Sequence, residues 1–489
     1  MSERSQDEHR LLTAGQTCWR VEQAQRFACI VDAADYFRFA KAAMLRAQHR
    51  IVLIGWDFDT RITFERGGKT MAGPNQLGFF LRWLVRARPG LEIYLLRSNV
   101  RLLPAFEGLW GRVTPVALLN WLSNDRLQFA VDGVHPIGAV PHQKIVAVDD
   151  TFALCGGIDF AVDRWDTREH LDHNKLRQDI GRGYGPRHEV AAAVDGQAAL
   201  ALGDLARDRW RAATGRELEP VETTHIVWPR GLEPTLREVG VGIARTMPEL
   251  EPGSEIREVE ALNLVAIAHA RDIIYLENQY FASRTIAEAL AVRLAEPDGP
   301  EVVIVMPRNS ESRLEETAMD SARQRLLELL WAADHHERFG VYWPVTDSGM
   351  PIYVHSKVLV IDDRLLRIGS SNFNNRSMGF DNECDVAVEA GGDDADGEVA
   401  RTITSVRHSL VSEHLGVTVG EFDSALRDNG SFLRAVEALR GDGRSLSRFT
   451  SELVAAEANP LAENDLMDPD EVPKSLTRSV QRWLERLTE

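Results

Sequence analysis

One pattern occurs twice in this chain with the same internal spacing. The first copy is His142-Gln143-Lys144, then Asp149, then Gly156-Gly157-Ile158-Asp159. The second is His355-Ser356-Lys357, then Asp362, then Gly369-Ser370-Ser371-Asn372. A lone H-x-K says little, but six positions repeated in register do not arise from composition. A chain that holds the pattern twice is expected to fold as two copies of one unit, each delivering a histidine to a shared site.

The flanking sequence extends the duplication. Residues 37–48 have helical spacing and 51–56 (IVLIGW) read as a buried strand, and residues 262–271 and 273–276 repeat that order. Further strands are expected at 91–96 and 301–306, at 144–148 and 357–361, at 152–155 and 365–368, and at 190–194 and 385–389. Helix-like stretches at 197–213 and 399–414 close the two copies. Short β-branched runs alternating with helices predict an α/β fold whose sheet is covered on both faces. The expected organisation is a first α/β domain over 1–215 and a connecting segment over 216–255, with Pro220, Pro229 and Pro234 in its first part. A second, homologous α/β domain is expected over 256–415 and a helical extension over 416–489. In the last stretch Leu476, Val480, Trp483, Leu484 and Leu487 share one helical face, which suits docking on the core or contact with a membrane.

Bulk properties narrow the partners. A length of 489 residues suits two or three domains. No run of about 18 apolar residues is present, and the polar start MSERSQDEHRLL lacks the pattern of a secretory signal, so a cytoplasmic location is expected. The formal net charge of -18 argues against nucleic acid as the main ligand and against broad adhesion to anionic membranes. Cys18, Cys29, Cys155 and Cys384 are scattered and imply neither a zinc site nor a disulfide framework.

The residue types of the repeat suit phosphodiester chemistry. A neutral imidazole is a competent nucleophile near pH 7, and lysine brings positive charge to phosphoryl oxygens. A glycine pair lets backbone approach closely, and Asn372 can donate to an anionic oxygen. Two histidines can divide the labour: one attacks phosphorus, the other protonates the leaving alcohol and later activates the incoming acceptor. No metal or other cofactor is needed for this chemistry.

The pattern H-x-K-x4-D-x6-G-[GS]-x-[ND], present twice, resembles the signature of the phospholipase D superfamily. HQKIVAVDDTFALCGGIDFAVDRWDT (142–167), the ENQYF segment at Glu277–Phe281 and SSNFNNRSMGFDNE (370–383) are similar to the lipase branch of that family. The resemblance covers roughly residues 25–415. It implies a bilobal fold whose motifs meet in one cleft, with His142, Lys144, Asp149, His355, Lys357 and Asp362 as the catalytic set. It further implies that Asp149 and Asp362 support the structure more than they touch substrate, and that a separate acid orients each histidine. Glu383 is then the candidate for His355. In the first half the position at the same offset is His170, so Asp166 or Glu169 is the expected substitute. Asp159, Asn372 and Gln279 are candidates for substrate-phosphate contacts. Family analogy makes His142 the nucleophile and His355 the general acid, and the residues themselves leave the reverse open. Trp56, Phe160 and Trp165 suit either a substrate pocket or core packing. The activity implied is hydrolysis of a phospholipid headgroup diester at a membrane surface through a phosphohistidine, with transphosphatidylation as a variant. A phosphatidyltransferase of the cardiolipin synthase type or a nuclease is the alternative.

Overall fold

The computed structural model describes residues 10–456 apart from 100–123, 137, 180, 312–319, 392, 393, 395 and 396. The helix expected around Trp483 lies outside the described residues. The first half runs β1 (Arg20–Val31), α1 (Ala33–Met44), β2 (Arg50–Gly55), α2 (Leu77–Ala87), β3 (Glu92–Ser98), β4 (Leu127–Asp132), β5 (Ile145–Val148) and β6 (Phe152–Gly156). Three short strands follow, β7 (Gln178–Asp179), β8 (Arg182–Gly183) and β9 (Arg187–His188), then β10 (Val190–Asp195) and α3 (Gly196–Thr214). The second half runs β11 (Leu236–Met247), β12 (Ile256–Arg257), α4 (Glu258–His269), β13 (Ile273–Asn278), α5 (Arg284–Ala295), β14 (Glu301–Val305), α6 (Ser321–Ala333) and β15 (Phe339–Val345). It continues with β16 (Tyr353–Val354), β17 (Lys357–Ile361), β18 (Leu365–Gly369), β19 (Glu383–Glu389) and α7 (Glu398–Leu415). The extension adds α8 (Val419–Asn429), α9 (Phe432–Leu439), β20 (Ser445–Arg448) and α10 (Ser451–Ala456).

One sheet runs through both halves, in the order β4-β3-β2-β5-β6-β10-β1-β11-β19-β18-β17-β13-β14-β15-β20. The first seven strands and the next seven have the same order, reversed about the β1–β11 pair. In each half the outer three strands are parallel (β2, β3, β4 and β13, β14, β15), and the inner ones antiparallel. β1 and β11 pair antiparallel, from Arg20 opposite Ile243 to Phe27 opposite Leu236, and so fuse the halves. Neither strand is legible from hydropathy. Charged residues break the apolar run of β1, whose residues are only partly covered. β11 also lies inside the expected connecting segment 216–255, so the loop between the halves is confined to its first part.

The sheet is covered on both faces, as its continuous apolar strands require. On one face an apolar layer extends across both halves beneath α3, α7 and α9. On the other, α1 and α2 cover the first half and α4, α5 and α6 the second. Each fully buried Val, Ile or Leu contributes about 1.5–3 kcal/mol, so these layers, not the short hairpins, hold the sheet in register. The equivalent helices α3 and α7 both stop at a glycine in the left-handed region, Gly215 (φ 72°) and Gly416 (φ 68°), a conformation other L-residues resist. No helix among the described residues is long and apolar enough to cross a membrane.

Candidate active site

Each motif sits at the entrance of a buried strand. His142 and Lys144 precede β5; His355 precedes β17, and Lys357 opens it. The lysine folds back on its own turn in both copies: Lys144 Nζ donates to the His142 carbonyl at 2.9 Å and Lys357 Nζ to the His355 carbonyl at 2.7 Å. The histidine main chain docks on the opposite half. His142 N donates to the Asn382 carbonyl and His355 N to the His188 carbonyl, both at 2.8 Å. The two motifs therefore meet by exchange. Gly157 of the first lies so close to the second that a Cβ there would meet the His355 carbonyl and Lys357 Cδ, each at 3.2 Å.

The orienting acids are exchanged as well. His142 Nδ1 lies 3.1 Å from both carboxylate oxygens of Glu383, and His355 Nδ1 lies 3.4 Å from Glu189 Oε2. Each histidine is thus served by a glutamate of the other half. Glu383 is held by the hydroxyls of Ser370 (2.5 Å) and Ser377 (2.6 Å), Glu189 by Arg187 Nε at 3.0 Å.

Charge sets the protonation states. Burial, then Lys144 and Lys357, hold the His142 imidazole well below 6.5. Burial, then Lys357, Arg164 and Arg187, do the same for His355. Burial pushes the Glu383 carboxyl up to about 8 and raises that of Glu189. Burial and the neighbouring Lys144 lower the Lys357 ammonium well below its usual range. Both imidazoles are thus held towards the neutral form beside Lys144 and Lys357.

The comparisons with known proteins agree. A family model described as "Cardiolipin synthase, PLD-like domain" matches residues 264–404. Phospholipase D A of Dictyostelium discoideum is 24% identical over 465 residues, 79% of this chain. Over most of its length the chain is similar to phospholipases D, and its second half matches a PLD-like domain. Phospholipase D1 of Saccharomyces cerevisiae is 23% identical, over 80% of this chain. This chain spans only 35% and 29% of the length of those two relatives. The crystal structure of phosphatidylserine synthase from Haemophilus influenzae Rd KW20 shares the fold, with a TM-score of 0.57, 12% identity and 96% of both chains covered.

Several of the expected roles differ in the structure. Glu383 serves His142, not His355. Neither Asp166 nor Glu169 orients a histidine of the motifs: Asp166 is buried and bonded to His170 Nδ1 (3.0 Å), Arg177 and the Arg187 amide, and Glu169 is exposed. The true counterpart, Glu189, escaped because the copies differ in length. Gly156 pairs with Ala191 and Gly369 with Asp385, which makes Glu189 the equivalent of Glu383 two residues earlier. Between these landmarks the first half inserts β7, β8 and β9. A signal was present: a glutamate stands at the entry of each copy's inner strand, one residue ahead of β10 and first in β19.

The aspartates of the repeat take no part in the cleft. Asp149 accepts main-chain N–H bonds from Gln48, His49 and Arg50, and Asp362 from Arg271, Asp272 and Ile273, at 2.6–2.9 Å. Each ties the turn after its motif strand to the start of the neighbouring strand. Asp159 faces Lys144 Nζ at 3.3 Å and accepts the Trp56 amide at 2.9 Å. Gln279 Oε1 accepts from Lys357 Nζ at 3.0 Å, so it occupies the equivalent place beside the second lysine. Asn372 is buried with its Oδ1 unbonded. Phe160 and Trp165 belong to the core of the first half, and Trp56 is only partly buried.

Proposed function

We propose that this protein is a phospholipase D-type phosphodiesterase that hydrolyses the headgroup diester of glycerophospholipids at a membrane surface. The observation that carries the proposal is the exchanged pairing: two histidines, each with its Nδ1 against a glutamate of the opposite half, converge with two lysines on one site. In each imidazole this leaves Nε2 for the substrate. His142, whose side chain keeps 17% exposure against 6% for His355, is the nucleophile. Its Nε2 attacks phosphorus and the phosphatidyl group passes to it, forming a phosphohistidine. His355, protonated once the anionic substrate offsets the lysines, gives its proton to the departing headgroup oxygen. It then takes a proton from the incoming water, which releases phosphatidic acid and restores His142. Lys144 and Lys357 balance the charge that gathers on the non-bridging oxygens.

The same intermediate can pass to an alcohol instead of water, and the similarity to the cardiolipin synthase model keeps that transfer as the second reading. Incubation with phosphatidylcholine or phosphatidylglycerol vesicles, with and without glycerol, separates the two by product. Phosphatidic acid alone is the hydrolytic result, and a phosphatidyl-alcohol adduct the transfer result. His142→Ala and His355→Ala are each expected to lose about 10³-fold or more in rate. Rapid quench and peptide mass spectrometry are expected to find the phosphoryl adduct on His142; an adduct on His355 reverses the roles. Release of neither product, together with cleavage of a nucleotide diester, would sink the lipid reading.

A further inference from the structure

A second cluster of titratable groups lies behind the cleft and is not used by the chemistry above. It is formed by Asp32 just before α1, His170 in the first-half insertion, His188 in β9 and Glu413 on α7, all four buried. His170 Nε2 is 3.5 Å from Asp32 Oδ2 and 3.2 Å from Glu413 Oε1. His188 Nδ1 is 3.0 Å from the same Glu413 oxygen and 3.4 Å from Asp32 Oδ1. A zinc ion holds nitrogen and oxygen donors at about 2.0–2.2 Å, which separates tetrahedral ligands by about 3.3–3.6 Å. Two of the cluster's spacings, 3.4 and 3.5 Å, fall in that range, and the two to Glu413 lie just below it at 3.0 and 3.2 Å.

The surroundings point the same way. Each histidine turns one nitrogen to the cluster and the other to a carboxylate outside it: His170 Nδ1 to Asp166 at 3.0 Å, His188 Nε2 to Glu277 at 2.9 Å. This is how metal-bound imidazoles are fixed in tautomer and direction. Glu277 is itself held by Tyr275, Ser356 and His414, so it is an outer partner and not a ligand. Asp32 Oδ2 is buried and accepts no hydrogen bond, although its sister oxygen accepts the Glu189 amide at 3.0 Å. Without an ion, the inner nitrogens of both imidazoles point at the same Glu413 oxygen, and Asp32 Oδ2 stays unbonded. A divalent ion at the centre of the cluster would give that oxygen a partner.

We propose that Asp32, His170, His188 and Glu413 bind one first-row divalent cation, zinc by preference, as a closed structural site. Two nitrogens and two carboxylates suit zinc; calcium and magnesium favour larger all-oxygen shells. Three ligands come from the first half and one from the second, so the ion pins the halves together next to the cleft. It also fixes the segment that serves His355: the His188 carbonyl receives the His355 amide, and Asp32 receives the amide of Glu189. The ion touches no reacting atom and acts by positioning the His355–Glu189 pair.

Elemental analysis of the full chain, freed of any histidine tag and dialysed against chelator, is expected to find about one zinc per chain. His170→Gln and Glu413→Gln are each expected to lose it. Because those variants can also misfold, wild-type protein unfolded in chelator and refolded with cobalt supplies a second reading. A tetrahedral cobalt absorption band and a raised melting temperature relative to metal-free protein are expected. The proposal is overturned by metal-free protein that shows neither change, which would leave the cluster a network of ion pairs. It is equally overturned if a His170→Gln, His188→Gln double variant keeps the metal. None of these readings needs turnover, so they stand or fall apart from the lipid activity.

Discussion

Asp149 and Asp362 show how a residue can belong to a motif without belonging to its chemistry. Each carboxylate accepts three main-chain amides at the far end of the motif strand from the lysine. Hydrogen bonds to a charged group contribute about 1.5–3 kcal/mol each when their loss leaves buried donors. Asp362→Ala is therefore expected to cost about 3 kcal/mol or more, read as a lower urea midpoint, while the folded fraction keeps the wild-type pH profile. A changed profile would place the aspartate in the reaction. The histidines carry the opposite signature. Burial and the lysines keep the free His355 imidazole well below 6.5, and the general acid works only when protonated. As pH rises, kcat/KM should then begin its fall below pH 6.5. In the complex the phosphodiester charge offsets the lysines and lifts that pKa, so the falling limb of kcat should lie at higher pH. Lys357→Met removes a charge that depresses His355 and should move the kcat/KM limb upward. Coincident limbs in both parameters would contradict the electrostatic account.

Elements decide where these side chains can stand. The inner strands β10 and β19 each follow or begin with the glutamate that crosses to the other half, and the turn before them must fit closely. A Cβ on Gly369 would meet the Asp385 carboxylate, and Asp385 Cα at 2.6 Å. Asp385 holds the amides of Ser370 and Ser371. Gly369→Ala should therefore cost about 1–3 kcal/mol by overpacking and also lower activity, whereas Gly185→Ala, with open space around it, should do neither in a thermal melt. On the outer face α1 is pinned by Lys41, which is fully buried and donates to Glu65 at 2.8 Å. Burial pushes the Glu65 carboxyl up, but Lys41 and Thr70 outweigh it and hold it at about 2. A depressed carboxyl stabilises the fold above its unfolded value near 4.5, and this is lost as pH falls towards about 2. Lys41→Met strands the carboxylate and should cost about 3–5 kcal/mol near pH 7, with a smaller loss at pH 3. An equal loss at both would show that packing, not charge, is at stake. The buried strands were readable from their apolar runs; β1 and β11 were not, because charged residues interrupt theirs.

The whole molecule is two copies that each lack half of a working site. Glu189 and Glu383 cross the boundary, as do the main-chain bonds of His142 and His355. The β1–β11 ladder makes that boundary part of one sheet. A protease site placed in the loop ahead of β11 should therefore be cut without loss: the nicked protein should elute as one species and retain activity. Separation of the halves on a sizing column would mean that the loop, not the interface, holds them.

Local chemistry suffices for much of this protein. Hydropathy period marks most strands and helices, and a repeated H-x-K pattern marks two imidazoles and two lysines for one task, because these properties live in residue type and spacing. Pairing between the copies is a different kind of fact. Which glutamate meets which histidine depends on strand register across an insertion of unequal length, and on an exchange that no linear offset encodes. Histidines outside the repeat, such as His170 and His188, gain meaning only when folding buries them beside Asp32 and Glu413. The repeat marks out the chemistry along the chain; packing of one half against the other assigns the partners.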